Sequence, residues 1–198
     1  MNLPFSQACE NNKEPILKVL QNTFKTTGTV LEIAGGTGQH AVYFAKQLPF
    51  LYWQSSDIAE NVDTLNLRIA VAGLENLPPA LPFDVTQTHF RLASVDYIFS
   101  ANSLHIMPAS ALVHFFRHAG NLLNPHGILC VYGPFKYHGE FTSPSNAQFD
   151  LWLKANNPES GIRDFETVVA LAQQAGLGLL QDHAMPANNQ LLAFTKEQ

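Results

Sequence analysis

The chain has 198 residues, of which 46% are hydrophobic and 14% are charged. This composition is typical of one folded domain, residues 1–198, with a substantial core. The formal net charge is −5 and no cluster of Lys and Arg is present, which argues against a nucleic-acid partner. No apolar run approaches the roughly 20 residues of a membrane span, so the sequence predicts no membrane partner.

The cysteines and the amino terminus indicate a cellular compartment. The two cysteines, Cys9 and Cys130, do not make a disulfide framework, which favours a reducing environment. Residues 1–4 lack the basic start and the apolar segment of a secretory signal. We therefore predict a cytoplasmic protein.

Helices and strands alternate over the first two thirds of the chain. Residues 1–14 are polar and are predicted to be irregular, and Pro15 is predicted to begin the first helix. Further helices are predicted at 38–47, 60–72 and 110–123. Strands are predicted at 29–34, 50–55, 81–83, 95–101 and 128–132. This alternation predicts a mostly parallel sheet with helices on both faces.

The last third of the chain departs from this alternation. Residues 134–163 form a long insertion, and connections of this length in compact domains are usually functional. Ser145 and Gln148 have the spacing of a capping box at the start of a short helix, and Asp164 is predicted to cap the next helix. Two final strands, joined without a helix and therefore antiparallel, are predicted at 177–181 and 190–195.

A glycine-rich loop follows the first predicted strand, in the segment VLEIAGGTGQH at residues 30–40. Glycines permit a tight turn and the close approach of a ligand, and the helix that follows directs its positive end toward that ligand. Acidic residues also end three successive strands, at Glu32, Asp57 and Asp84. Asp57 lies about 20 residues after the loop, where an acid can accept hydrogen bonds from ribose hydroxyls. Together these features predict a site for a nucleotide-like cofactor.

This order of elements resembles the class I S-adenosylmethionine-dependent methyltransferases over nearly the whole chain. The resemblance implies a Rossmann-like α/β fold whose seven-stranded, mostly parallel sheet has the order 3-2-1-4-5-7-6 and an antiparallel terminal hairpin. It also implies S-adenosylmethionine as cofactor, S-adenosylhomocysteine as product and a small-molecule acceptor. The residues that match cofactor-binding positions of the class are Glu32, Ala34, Gly35, Gly36, Gly38, Asp57, Asp84, Val85, Ala101 and Asn102.

The resemblance also implies a role for each part of this set. Glu32 is expected near the methionine end of the cofactor, Asp57 at the ribose hydroxyls and residues 84–85 at the adenine. The backbone of residues 101–102 is expected near the methionine amino group. Ala34 stands where the class often has the first glycine of its loop, and its methyl group is expected to narrow the turn.

A closer resemblance is to a small family of uncharacterised methyltransferase-like proteins, known in animals as methyltransferase-like protein 26. Five segments of the chain carry it: 6–17, 133–135, 142–150, 161–164 and 185–189. This family implies no particular acceptor.

His105 is the candidate catalytic residue, because it follows the fourth predicted strand and because a similar Leu-His element is frequent in small-molecule methyltransferases. A general base is needed only if the acceptor must lose a proton, so the alternative role is a histidine that shapes the pocket. The amino-terminal segment and the insertion are expected to close the acceptor side as lids. Their candidate acceptor contacts are Asn12, Lys13, Tyr137, His138, Ser145, Asn146 and Arg163. Phe149 and Trp152 are expected to pack within the insertion.

Other functions fit parts of the sequence. Residues 36–41 also satisfy the dinucleotide fingerprint G-x-G-x-x-A, but Glu32, the terminal hairpin and the lack of a separate substrate domain disfavour an NAD(P)-binding protein. His114 and His118 have a zinc-binding spacing without an evident third ligand, so no metal site is predicted. A cofactor-binding or interaction protein with little catalysis is the alternative function, because Ala34 replaces a glycine and no base is obvious.

Overall fold

The computed structural model of the protein describes residues 3–88 and 92–197. Its helices are α1 (Gln7–Thr23), α2 (Gln39–Gln47), α3 (Ala59–Ala72), α4 (Ala111–Leu122), α5 (Pro144–Asn156), α6 (Phe165–Gln174) and a 3-10 turn (Pro186–Asn188). Its strands are β1 (Gly28–Ile33), β2 (Leu51–Asp57), β3 (Leu81–Pro82), β4 (Val95–Ala101), β5 (Leu123–Gly133), β6 (Phe135–Tyr137), β7 (Glu140–Phe141), β8 (Arg163–Asp164), β9 (Leu177–Met185) and β10 (Asn189–Lys196). Within the described ranges, no helix is both long enough and apolar enough to cross a membrane.

Seven strands form the central sheet, in the order β3-β2-β1-β4-β5-β10-β9. The pairs from β3 to β5 are parallel, whereas β10 is antiparallel to both β5 and β9. Because β9 and β10 are the sixth and seventh strands of this sheet along the chain, the predicted order 3-2-1-4-5-7-6 is confirmed. The Rossmann-like α/β fold with an antiparallel terminal hairpin is confirmed with it.

Hydrophobic side chains alternate between the two faces of the sheet, as expected for strands that are buried on both sides. In β1, Leu31 and Ile33 pack on the face covered by α4 and α6, while Val30 packs on the face covered by α1, α2 and α3. Since helices cover both faces, the carboxyl ends of the parallel strands are where a ligand can enter.

The amino-terminal helix begins earlier than predicted. Residues 7–14 are helical rather than irregular, and Pro15 lies inside α1 instead of at its start. Ser6 accounts for the difference, because its Oγ accepts a hydrogen bond from Cys9 N–H (3.3 Å) and so caps the helix. The apolar face of α1, buried against α2, compensates for the hydrogen bond that Pro15 cannot donate. Residues 1 and 2 of the predicted segment lie outside the described residues.

The insertion has more regular structure than predicted. Besides α5, it contains strands of a second, three-stranded sheet in the order β7-β6-β8. Asp164 lies at the predicted N-cap position of α6, but its side chain makes no capping hydrogen bond. The Asp164 carboxylate pairs instead with Lys136 Nζ (3.3 Å), which ties β8 to β6.

The helix of the insertion is capped by a different serine from the one predicted. Ser143 precedes α5, and its Oγ accepts a hydrogen bond from Asn146 N–H (3.2 Å). Pro144 suits the first turn because a proline there has no N–H to leave unpaired. The predicted capping box of Ser145 and Gln148 is therefore wrong.

Candidate active site

The loop between β1 and α2 forms the centre of the candidate site. Three of its residues have positive φ: Ala34 (62°), Gly36 (56°) and Gly38 (75°). A left-handed backbone favours glycine, and a Cβ at Gly38 would also come within 2.7 Å of Leu65. Gly38 immediately precedes α2, so the amino-terminal end of that helix adjoins the loop.

Asp57, at the end of β2, holds this loop in place. Its Oδ2 accepts a hydrogen bond from Gly36 N–H (2.7 Å), and its Oδ1 accepts from Ile58 N–H (2.8 Å) and Asn61 Nδ2 (2.9 Å). The residue is buried but lines a cavity. Because a carboxylate has about four lone-pair sites, these three bonds leave acceptor capacity for a ligand.

A first cavity of about 410 Å³ opens at the carboxyl ends of β1, β2 and β4. The predicted cofactor residues that line it are Ala34, Gly36, Asp57, Asp84, Val85, Ala101 and Asn102. Ile58, Phe83 and Met107 add apolar surface. Asp84 Oδ1 accepts hydrogen bonds from the N–H and the hydroxyl of Thr86 (both 2.8 Å), which orient its carboxylate.

The other predicted cofactor residues do not line this cavity. Glu32 is buried, and its Oε2 accepts hydrogen bonds from Ser55 Oγ (2.6 Å) and Trp53 Nε1 (3.2 Å). Burial raises the pKa of Glu32 to about 7, although both hydrogen bonds favour the charged form. Gly35 lines a second cavity, and Gly38 lines neither.

The second cavity, of about 800 Å³, adjoins the first at the loop. The residues common to both are Ala34, Gly36, Ala101, Asn102 and Ile106. Its remaining walls come from α1, α2, the segment after β4, the end of β5, α5 and the turn between β9 and β10. They include Asn12, His40, His105, Tyr132, Ser145, Asn146, Phe149, Trp152 and Pro186. The structure therefore places the predicted cofactor loop at the junction of two cavities.

His105 lies in the wall of the second cavity and is 5% exposed. Its ring is edge-on to Phe149, with 5.3 Å between centroids, and its nitrogens form no hydrogen bond within residues 3–88 and 92–197. Burial, with a smaller effect of the Arg163 charge, lowers the pKa of His105 to about 4. The imidazole is therefore neutral at pH 7 and has one unprotonated nitrogen.

Three of the predicted acceptor residues line the second cavity: Asn12, Ser145 and Asn146. Asn146 is buried, and its Nδ2 donates to Thr142 Oγ1 (2.9 Å) and to the main-chain oxygen of Asn188 (3.0 Å). These bonds join α5 to the turn between β9 and β10, so two parts of the cavity wall are held together.

The structure places the other four predicted acceptor residues outside both cavities: Lys13, Tyr137, His138 and Arg163. The first three each bond to an acidic side chain outside the cavities. Arg163 donates instead to the main-chain oxygens of Leu104 (2.9 Å) and Met107 (2.6 Å). It therefore supports the segment that carries His105.

His40 and Tyr132 also line the second cavity, and the sequence pattern did not single them out. His40 Nε2 lies 2.6 Å from Asn12 Oδ1, and Asn12 also bonds to the Tyr132 hydroxyl. Burial lowers the pKa of His40 to about 4, so the neutral ring donates from Nε2. The position of His40 directly after the loop was an available signal, whereas nothing in the sequence places Tyr132 beside α1.

The two histidines with zinc-binding spacing make other contacts. His118 Nε2 lies 2.9 Å from the main-chain oxygen of Gln87, and His114 Nδ1 bonds to Arg117. In the part of the chain that the structure describes, no three His, Cys, Asp or Glu side chains are grouped so that they could hold a metal ion.

The sequence profile of a protein family described as "Protein of unknown function (DUF938)" matches residues 3–196. The chain belongs to this family. The match covers the glycine-rich loop, both cavities and the insertion of the DUF938 chain.

Solved structures of methyltransferases share the fold of this DUF938 chain. An O-methyltransferase family protein from Burkholderia thailandensis has a TM-score of 0.84 at 19% identity, covering 96% of this chain and 58% of that one. Human N-acetylserotonin methyltransferase in complex with SAM has a TM-score of 0.82 at 16% identity, and the match covers 97% of this chain and 53% of that one. An O-methyltransferase family 2 protein from Planctomyces limnophilus in complex with apigenin has a TM-score of 0.74 at 17% identity, and the match covers 94% of this chain and 62% of that one. The DUF938 chain thus spans a little over half the length of these proteins.

Proposed function

We propose that the chain is an enzyme that transfers a methyl group from S-adenosylmethionine to a small molecule. One observation carries the proposal: the loop, Asp57 and Asp84 meet in a cavity at the carboxyl ends of parallel strands, beside a second cavity that contains His105. The likeness to methyltransferase folds supports it. The segments that resemble methyltransferase-like protein 26 support it as well.

The residues of the first cavity suit this cofactor chemically. Ile58, Phe83 and Met107 offer apolar surface to a purine ring, while Asp57 and Asp84 offer carboxylate oxygens to hydroxyl and amino groups. A mostly apolar pocket with a few fixed polar groups is the usual form of a cofactor site. S-adenosylmethionine, when bound, supplies an electrophilic methyl group on a sulfonium sulfur.

We assign Asp57 to the ribose hydroxyls, residues 84–85 to the adenine and the backbone of residues 101–102 to the methionine amino group. The positive φ angles within residues 34–38 permit close approach of the loop to the methionine portion. Glu32 lines neither cavity, and its hydrogen bonds to Trp53 and Ser55 tie β1 to β2 next to the loop.

His105 is proposed as the proton acceptor for a substrate that must lose a proton. Its imidazole is neutral at pH 7. Arg163 donates to the main-chain oxygens of Leu104 and Met107, on either side of His105, and so holds this segment in place before a substrate binds. Residues 3–14 and 134–163 belong to the same domain and supply walls of the second cavity. We propose that these walls exclude water from the acceptor site.

A small-molecule acceptor is favoured over nucleic acid by the net charge of −5 and by the relative that was solved with apigenin. The cytoplasmic location stays a prediction, and the two free thiols of Cys9 and Cys130 support it.

Calorimetric titration with S-adenosylmethionine and S-adenosylhomocysteine tests the proposed function, with NAD(H) and NADP(H) as controls. We expect the two sulfur compounds alone to bind. Binding of a nicotinamide nucleotide instead, or no binding by the folded protein, contradicts the proposal.

A cofactor-binding protein with little catalysis is the second candidate function. The low pKa of His105 favours it, because a weakly basic imidazole contributes little to proton removal. It predicts binding of S-adenosylmethionine without transfer of its labelled methyl group to any component of a metabolite extract. Labelled products that depend on the protein contradict it.

A further inference from the structure

The second cavity is lined by uncharged side chains. The chain has 11 Lys and Arg and 16 Asp and Glu residues, yet none of these types is among the described residues that line this cavity. His40 and His105 are neutral at pH 7 because burial lowers the pKa of each to about 4. Burial also raises the pKa of the Cys9 thiol. The side chains that line this cavity therefore offer a charged ligand no partner of opposite charge.

Part of the lining offers hydrogen bonds from neutral groups. Asn12 bonds to His40 and Tyr132, which fixes its amide in the wall. Asn146 Nδ2 uses its two protons in the bonds to Thr142 and Asn188, so its Oδ1 is the atom of that amide left to accept a hydrogen bond. Amides held in this way can exchange hydrogen bonds with hydroxyl and amide groups of a ligand.

Another part of the lining is aromatic. Phe149 and Trp152 stack nearly parallel, with 5.9 Å between centroids and an interplanar angle of 13°. Trp152 thus packs on Phe149 within the insertion, as predicted, but it is 59% exposed, so much of its ring stays open beside the cavity. Large aromatic surface left open beside a cavity suits the face of another planar ring.

We propose that the acceptor is an uncharged molecule with an aromatic ring, which stacks on Phe149 and Trp152 and presents hydroxyl or amide groups to Asn12 and Asn146. This inference rests on the proposed function, because it names the class of molecule that is methylated at the same site. Molecules with a carboxylate, phosphate or ammonium group are disfavoured, because the cavity offers them no compensating charge.

Three phenols of similar size test this inference: 4-hydroxybenzamide, 4-hydroxybenzoate and tyramine, which are neutral, anionic and cationic at pH 7. Calorimetry or saturation-transfer NMR measures their binding to the full chain, with and without S-adenosylhomocysteine. We expect the neutral phenol to bind and the charged ones to bind at least about tenfold more weakly, a free-energy difference of about 1.4 kcal/mol. Equal or tighter binding of a charged phenol, or no binding of the neutral one, overturns the inference.

Variants of α5 locate the binding surface. Trp152→Ala should weaken binding of 4-hydroxybenzamide by about tenfold, whereas the matched control Leu151→Ala, whose exposed side chain lies outside the cavity lining, should not. Ser145→Arg places a cation at the cavity and should raise the affinity for 4-hydroxybenzoate. Equal effects of the Trp152 and Leu151 variants, or no gain from the Ser145 variant, contradict the assignment.

The design separates this inference from the proposed function. Binding of phenols is measured without turnover, and S-adenosylhomocysteine binding is measured independently. Loss of cofactor binding with retained preference for the neutral phenol overturns the proposed function alone. Cofactor binding without that preference overturns the acceptor class alone.

Discussion

The backbone at Ala34 is left-handed, with φ at 62°, although the residue is not glycine. Such a conformation costs an L-residue roughly 1–2 kcal/mol, so its surroundings must hold it. Gly35 N–H donates to the main-chain oxygen of Ser56 (2.9 Å), and Gly38 N–H donates to that of Gly35 (3.0 Å). The turn thus keeps its shape with a methyl group that lines both cavities.

Replacement of Asp57 by alanine tests the proposed ribose contact. Asp57→Ala should weaken binding of S-adenosylhomocysteine by about 1–3 kcal/mol, because it removes a charged acceptor and the bond that holds Gly36. Calorimetry measures the affinity, and circular dichroism checks that the variant is folded. Asp63→Ala, at an exposed position of α3, is the matched control. Unchanged affinity in the folded Asp57 variant would remove Asp57 from the cofactor site.

Replacement of His105 by alanine separates binding from chemistry. His105→Ala should leave the affinity for S-adenosylhomocysteine within about twofold and lower methyl transfer by roughly 10²-fold or more, the usual contribution of a positioned base. Transfer of labelled methyl groups to a metabolite extract measures the second effect. His114→Gln, outside both cavities, is the control. Full transfer by the His105 variant would leave His105 only a structural role.

The sequence predicts correctly those site residues whose location follows from their position at the end of a parallel strand. Asp57 and Asp84 follow parallel strands, whose carboxyl ends meet at one edge. Tyr132 and Phe149 were not assigned to the site because their place depends on how α1 and α5 pack, which no local periodicity records. Lys13 and His138 lie in the predicted segments, but their side chains bond to acidic neighbours outside the cavities.

At the scale of single elements, α5 offers a direct test of its corrected start. Ser143→Ala should destabilise the protein by about 1 kcal/mol, because Ser143 Oγ caps the helix, whereas Ser145→Ala should change the free energy of unfolding by less than about 0.5 kcal/mol. Urea unfolding measures both. A larger loss in the Ser145 variant would restore the capping box inferred from the sequence.

Elements with a strong apolar pattern were predicted well, and short ones were not. The strand at Val95–Ala101 was predicted with its observed bounds, because a continuous apolar run marks a buried parallel strand. Strands β7 and β8 have two residues each, too few to carry any periodicity. The predicted amino-terminal helix is too short because the prediction starts it at Pro15. The true start is set by the cap at Ser6, which is recognised only from its hydrogen bond with Cys9 N–H.

Across the whole molecule, buried titratable groups give opposing responses to acid. His40 and His105 have pKa values near 4 in the folded protein against 6.5 in model compounds, so the stability they contribute above pH 6.5 is lost as the pH falls toward 4. The contribution of Glu32 to stability changes with pH in the opposite direction, because burial raises its pKa from 4.5 to about 7. Its contribution is present below pH 4.5 and is lost as the pH rises through 7.

The Glu32 contribution can be isolated by comparing variants. Between pH 5 and 7 the unfolding free energy of Glu32→Gln relative to the wild type should increase with pH, by up to about 1.4 kcal/mol for each unit of pKa shift, because the amide does not ionise. Urea unfolding at pH 5, 6 and 7 measures this difference, with Glu75→Gln at an exposed site as control. A difference that stays constant with pH would mean that Glu32 is ionised throughout.

The whole topology was predictable because it follows from the order of elements, whereas the charge-free second cavity was not. Besides the loop after β1, its walls come from α1, α2, the segment after β4, the end of β5, α5 and the turn after β9, which are far apart along the chain.

The two tryptophans lie in very different surroundings. Trp53 is fully buried and donates to Glu32, whereas Trp152 is largely exposed at the second cavity. Their emission is therefore separable by a water-soluble quencher such as acrylamide, which reaches the indole of Trp152 and not that of Trp53. The chain thus carries two intrinsic fluorescent reporters, one for occupancy of the second cavity and one for the protonation of Glu32.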